Sequence, residues 1–282
     1  MKKIIIPDEE KDRILILYSQ GFGYRIIHKI LKPNYSEGII LRYLRESKAI
    51  ETDRLYRKYE YNKLFFKIID NEEKAYWLGF LYADGNVSDR EVRINLNSRD
   101  RNHLEKFLQS IEGNNTIEDG IQNSFGTITN YSRVSINSIE MIRDLTKLGC
   151  IPRKSQILKY PNEEQVPKYL INHFIRGYLD GDGSIIISSK NQWSIGILGT
   201  ELFLKGLKEE LLIDNEIGFD KRNGHPYLNF GGNLHVLEIL SRLYENSKIY
   251  LDRKYNRYLK LKSIYSEEII KERSIFSSRL RK

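Results

Sequence analysis

The sequence predicts an α+β protein: two copies of a mixed helix-and-strand unit behind a small all-α module. Three observations carry this. An apolar segment ending in Asp-Gly occurs twice, as AYWLGFLYADGN (75–86) and HFIRGYLDGDGS (173–184). Behind each copy, strand-like alternation and helix-like periodicity follow in one order. The first 48 residues contain helix-like patterns only.

The front module, 1–48, reads as three helices. Asp8 is placed to cap the first, with Ile14, Leu15, Leu17 and Tyr18 apolar. Gly21 and Gly23 end it. The second runs from Tyr24 to Leu31, with Ile26, Ile27 and Ile30 on one face, and stops before Pro33 and Asn34. Ser36 is placed to cap the third, which leaves Arg42 and Arg45 exposed. This layout is similar to the helix-turn-helix modules of resolvases, whose last helix enters the major groove, and it implies that Arg42 and Arg45 face DNA. Residues 49–71 read as a basic linker rich in tyrosine.

The first repeat spans 72–168 and the second 169–262, with a basic tail at 263–282. After the first Asp-Gly come strand-like EVRINLN (91–97), helix-like 99–111, strand-like 133–138 and helix-like 139–149. After the second come strand-like 184–189 and 193–199, helix-like 201–212, strand-like 226–230 and helix-like 234–244. Each copy ends near an Arg-Lys pair, so that Lys154 lies 70 residues after Asp84 and Lys254 lies 72 after Asp182. One Asp-Gly turn is commonplace, whereas two whole units in matching order are not.

Glycine inside a helix costs ~1 kcal/mol relative to alanine, so Gly79 and Gly177 call for a compensating contact. Small residues four apart form a flat stripe that lets two helix backbones meet. If the stripes face each other, Asp84 and Asp182 arrive side by side at two helix C-termini. Both the helix dipoles and their mutual repulsion disfavour that pair of charges. A hard divalent cation such as Mg²⁺, or Mn²⁺, would neutralise it.

At these residues the sequence resembles the LAGLIDADG homing endonucleases. WLGFLYADG (77–85) and IRGYLDGDG (175–183) match the motif at its glycine and at its final Asp-Gly. Two motifs in one chain imply the monomeric, pseudo-symmetric form. The resemblance implies two αββαββα repeats whose sheets form saddles on the DNA major groove. It implies that Asp84 and Asp182 bind the catalytic metals, assisted by Lys154 and Lys254, and that Ser98, ending the second strand, positions water. Gly199 stands at the matching place in the second half and cannot do that. The sixth motif position is Tyr82 in one copy and Asp180 in the other. Neither the Met1 start nor the RLRK end offers intein-splicing chemistry, which points to a free-standing enzyme or intron homing.

Base readers are expected on the sheets: Arg93, Asn95 and Asn97 along one face of a strand, with Ser132, Ser135 and Asn137 beside them. In the second half the candidates are Lys190, Gln192, Ser194, Lys221, Arg222 and Asn229.

Composition narrows the classes. The formal net charge is +8, with residues 1–70 at +5 and 248–282 at +7. Two basic ends suit a long polyanion, double-stranded DNA first, with intron RNA the alternative partner. A lone cysteine, Cys150, excludes a disulfide framework and points to an intracellular setting. No apolar run reaches 18 residues, and MKKIIIPDEE is too short for a signal peptide, so no membrane partner is expected. Two other functions fit the same sequence, a non-cleaving DNA-binding regulator and an RNA maturase.

Overall fold

A computed structural model describes residues 6–20, 22–47, 59–124, 127–151 and 157–265. The chain divides into two compact units, Met1–Glu60 and Tyr61–Lys282.

The small unit holds α1 (Asp8–Ser19), α2 (Tyr24–Leu31) and α3 (Glu37–Glu46). Ile6, Ile14, Tyr18, Ile27, Ile40 and Leu44 form its core. Pro7, not Asp8, occupies the N-cap of α1, and Asp8 instead pairs with Lys11 at 2.7 Å inside the first turn. Lys32 ends α2 in the left-handed region at φ 46°. Tyr35 bridges the unit: its hydroxyl donates to Glu10 at 2.6 Å and its carbonyl accepts from His28 Nε2 at 2.7 Å. Ile26 and Ile30, expected to share an apolar face with Ile27, are exposed. An eight-residue helix against two others has room to bury only one stripe.

The large unit contains two copies of one αββαββα order. The first is α4 (Glu72–Ala83), β1 (Gly85–Val87), β2 (Val92–Asn97), α5 (Arg101–Ser110), β3 (Glu118–Ser124), β4 (Thr127–Ile136) and α6 (Ile139–Lys147). The second is α7 (Ile171–Asp182), β5 (Gly183–Ile187), β6 (Trp193–Leu198), α8 (Glu201–Leu211), β7 (Ile217–Phe219), β8 (Pro226–Gly231) and α9 (Asn233–Tyr244). A further helix, α10 (Asp252–Ile264), follows. Each half forms one antiparallel sheet, ordered β1-β2-β4-β3 and β5-β6-β8-β7. Along β2 and β6 the odd partners Val92–Ile94–Leu96 and Trp193–Ile195–Ile197 are the buried ones, so each sheet lays one face on helices and turns the other outward.

The expected basic linker 49–71 lies partly outside the described residues. Its end, from Tyr61, belongs to the large unit, where Phe65, Phe66 and Ile69 are buried in the core. Lys63 there pairs with Glu140 at 3.2 Å, and the Tyr61 hydroxyl donates to the Asn137 carbonyl at 2.5 Å. Tyr61 and Lys63, expected in a basic linker, therefore anchor this segment to α6 and the residues just before it.

The two motif helices meet backbone to backbone. Every residue of α4 from Ala75 to Tyr82 is buried, as befits a helix enclosed on all sides. A methyl group at Gly79 would strike the Phe174 carbonyl of α7, and one at Gly177 would strike the Tyr76 carbonyl of α4. One at Gly181 would strike the Ala83 side chain. The cost of helical glycine is thus offset by contacts that any larger residue would forbid.

Gly177→Ala must therefore separate α4 from α7. We expect destabilisation of about 3 kcal/mol, read by urea denaturation, because overpacking here meets backbone rather than a yielding side chain. Unchanged stability would contradict the close approach.

Candidate nuclease centre

Asp84 is the C-cap of α4, its N–H bonded to the Phe80 carbonyl at 2.9 Å; it is exposed. Asp182 is the last residue of α7 and is half-buried. The two helix ends are adjacent. A Cβ built on Gly181, the neighbour of Asp182, would lie 3.4 Å from the Asp84 nitrogen and 3.5 Å from its Oδ2. Both carboxylates also act on the same two groups: with burial as the larger cause they raise the Tyr178 hydroxyl pKa, and they support the charge of Lys254. One carboxylate from each half is thereby delivered to one place.

Lys254 sits in α10 and is buried. Its Nζ donates to the carbonyls of Leu179 at 2.6 Å, Asp180 at 2.7 Å and Gly181 at 3.3 Å. The Asp180 and Gly181 carbonyls are ones that the end of α7 leaves without a helical partner, and Leu179 also accepts from the Gly183 N–H. A cation against the negative end of a helix is favourable, and it sits directly behind Asp182. Burial draws the Lys254 pKa down to about 8, against the opposing pull of Asp180. Expected as a basic residue assisting at the centre, Lys254 is found tethering the helix that carries one of its carboxylates. Lys154 lies outside the described residues.

Behind Lys254 is a buried network with no counterpart in the sequence reading. Asp180 accepts hydrogen bonds from Tyr76 at 2.8 Å, Tyr244 at 2.5 Å and the Leu251 N–H at 2.8 Å. Since Tyr76 spends its proton on Asp180, the 2.9 Å contact to His103 requires His103 Nε2 to donate. His103 Nδ1 is then a bare acceptor, buried and without a partner among the described residues. Burial lowers the His103 pKa to about 3, with Lys106, Lys254 and Arg253 adding repulsion. Burial also raises Asp180, against the pull of Lys254 and its three donors. In the other half, Tyr82 takes the place of Asp180 and bonds to the Leu148 carbonyl.

The start of α10 is locked to the first half. Arg253 pairs with buried Asp100 at 2.9 Å, and Asp252 accepts from Lys106 and Asn102 at 2.5 Å. Neither residue carries a sequence signal beyond the Arg-Lys repeat. Ser98, half-buried, opens the turn between β2 and α5. At Gly199 a Cβ would approach the Tyr178 hydroxyl at 2.9 Å, and that hydroxyl bonds the Leu198 carbonyl at 2.9 Å. Serine is thus excluded there because tyrosine already fills the space. Next to it, Asp182, Tyr178, Gly199, Thr200 and His225 line a cleft of about 220 Å³.

Two motif helices joined through glycine and one four-stranded antiparallel sheet in each half agree with the α+β repeat order expected from the sequence. The architecture is a duplicated αββαββα unit joined through α4 and α7. Among solved structures, the chain is similar to the LAGLIDADG homing endonuclease I-GzeII in complex with DNA target, at 14% identity over 72% of this chain and 92% of that one, with a TM-score of 0.48. It is also similar to the meganuclease I-SmaMI bound to uncleaveable DNA, at 14% identity over 70% and 89%, with a TM-score of 0.45. No family model and no curated protein matches the sequence.

On this duplicated scaffold Arg93, Asn95 and Asn97 do share the outward face of β2. Arg93 leans on Glu91 and on Ser135 Oγ at 3.3 Å, while Asn97 accepts from the Arg99 N–H at 3.2 Å. Ser132 does not share that face: three residues from Ser135, it points the other way and donates to Asp119 at 2.5 Å. Lys190 and Gln192 sit in the β5–β6 turn, where both backbone N–H groups bond Ser188 Oγ. Arg222 and Lys221 sit in the β7–β8 turn, and Arg222 forks onto Asp220 at 2.9 and 3.2 Å, which holds the Asp220 pKa at about 2. The second sheet therefore carries its charge at its turns. Its outward face shows Ser184, Ile186, Ser194, Leu198 and Asn229.

His103 sets an acid limit. Its folded pKa lies below the free value, so the unfolded chain binds the extra proton first. Stability should fall as pH drops from about 6.5 toward about 3. His103→Gln keeps a donor near the Nε2 position without a titrating ring, and should flatten that part of the urea-denaturation profile. An unaltered profile would contradict the buried neutral ring.

Proposed function

We propose that the chain is a site-specific DNA endonuclease that hydrolyses phosphodiesters of both strands, with one aspartate from each half at a shared metal centre. The convergence of Asp84 and Asp182 on adjacent helix ends carries this reading. The donor set suits Mg²⁺ or Mn²⁺: hard carboxylate oxygens, few in number, with room for water and substrate phosphate. Among the described residues no cluster of three or more His, Cys, Asp or Glu offers a competing site. A bound divalent cation supplies positive charge against the negative charge that builds on the scissile phosphate.

The chain's own residues do the rest. Asp84 and Asp182 would hold the cation between the two helix ends. Lys254 clamps the last carbonyls of α7, so that Asp182 cannot retreat when the phosphate arrives. Ser98, beside the first half's strand end, is placed to hold a water. Lys154 is the proposed basic partner of the first half. Arg93, Asn95 and Asn97 read bases from one sheet; Lys190, Gln192, Lys221 and Arg222 contact the duplex from the turns of the other. In the small unit, Arg42 and Arg45 are exposed on α3 and add contacts to the same DNA. Because one chain supplies both carboxylates, a monomer suffices. No helix among the described residues is long and apolar enough to cross a membrane.

The test is incubation with a randomised duplex library in Mg²⁺ and in Ca²⁺, followed by mapping of cut ends. Cleavage is expected in Mg²⁺. Asp84→Asn and Asp182→Asn should each lower it on the order of a hundredfold or more while binding in Ca²⁺ persists. Undiminished cleavage by both variants would refute the site. Binding without cleavage by the unmodified chain would favour the regulator instead.

A further inference from the structure

The two sheets differ across most of their outward faces, yet one cross-strand row recurs in both. In the first sheet it is Asn97, Tyr131 and Gly120, on β2, β4 and β3. In the second it is Leu198, Tyr227 and Gly218, on β6, β8 and β7. The likeness extends to atoms. A Cβ at Gly120 would lie 2.6 Å from both Cζ and Oη of Tyr131, and one at Gly218 would lie 2.5 Å from Cζ and 2.7 Å from Oη of Tyr227. Each ring therefore lies flat across its neighbouring strand, with its hydroxyl over the glycine.

Three facts bear on what these rings do. Both rows lie at the ends of β2 and β6 on the side of the paired aspartates: Gly85, after Asp84, pairs with Ile94 of β2, and Gly183, after Asp182, pairs with Ile197 of β6, while Pro226, next to Tyr227, lines the cleft beside Asp182. β3 and β7 are the edge strands, so each hydroxyl is carried from an inner strand to the lateral margin of its sheet. Both tyrosines are half-buried, the Arg133 guanidinium lies 5.7 Å from the centre of the Tyr131 ring, and among the described residues no hydrogen bond engages either hydroxyl. A sheet lying in a groove meets base edges with its middle and the sugar-phosphate backbone with its margins. A phenol pinned flat by the strand beneath it cannot wedge between bases. It offers a fixed donor at the margin instead.

We propose that Tyr131 and Tyr227 are a pseudo-twofold pair of phosphate contacts, one per half-site, that register the duplex backbone on either side of the aspartate centre. This rests on the DNA-cleaving function proposed above. The pair adds orientation rather than sequence reading, which suits its recurrence on two sheets whose other outward residues differ. The competing role is plain shielding of strand glycines by an aromatic ring. Shielding needs the ring and not the hydroxyl.

Phenylalanine separates the two. Duplexes enriched by the full chain from a randomised pool are titrated in Ca²⁺ against the full chain, Tyr131→Phe, Tyr227→Phe and the double variant, alongside thermal unfolding. Each single change is expected to weaken binding about tenfold, as for a hydrogen bond to a charged acceptor, and the double about a hundredfold, since the two tyrosines lie on separate sheets and share no partner. The slope of affinity against salt should not change, because a neutral hydroxyl releases no counterion. Melting temperatures should match the unmodified chain. Unchanged affinity in the double variant, or weakened binding only alongside a lowered melting temperature, would overturn the proposal and leave the nuclease function standing. Failure of the unmodified chain to enrich any duplex would overturn both.

Discussion

The contact between α4 and α7 decides everything built around it. Helix axes normally stand apart by the thickness of their side chains. Here Gly79 and Gly177 remove that thickness, so the carbonyl of each helix occupies the space of the other's missing methyl, and one turn on from Gly177 the Ala83 side chain fills the space at Gly181. Two consequences follow without further adjustment. The sheets that begin immediately after each helix, at Gly85 and Gly183, are fixed relative to one another. The two helix C-termini finish together, and the residue each presents there is an aspartate.

Such an ending is electrostatically poor on its own account, since carbonyl dipoles and carboxylates share one sign. The fold meets part of that cost from behind. Lys254 takes up the carbonyls of α7, and α10, which carries it, is bound to the first half through Arg253 with Asp100 and Asp252 with Lys106. The remainder is left facing outward, where a cation and a phosphate can answer it. The halves are not equal in this respect. Asp180, Tyr76, Tyr244 and His103 form a buried polar chain beneath the second motif, whereas the first motif has Tyr82 on the Leu148 carbonyl and Cys150 Sγ at 3.5 Å from the Leu81 carbonyl. The duplicated core is symmetric in backbone and asymmetric in what lies under its two aspartate-bearing helix ends.

Much of this was legible in the residues. The repeated Gly-x-x-x-small pattern and terminal Asp-Gly announce the helix pair because only a backbone contact explains glycine in so apolar a helix. The alternation of β2 and β6 is equally plain, since a half-buried strand must alternate. The outer strands were not. β3, read as EDGIQNS, is an edge strand with little to bury, and β7 is only Ile217–Phe219; neither needs an apolar period. The role of Lys254 was hidden for another reason. Position in the repeat placed it near the centre, but only the packing of α10 shows that its charge points at helix carbonyls. Ser132 was misplaced by treating β4 as a list of polar residues, when a spacing of three in a strand always crosses to the other face.

The most direct test is a crystal structure of the full chain soaked with Mn²⁺, with the metal located by its anomalous scattering. Manganese lying between the carboxylates of Asp84 and Asp182 is the expected result. Ordered side chains on separate faces, or manganese bound by neither aspartate, would contradict the account.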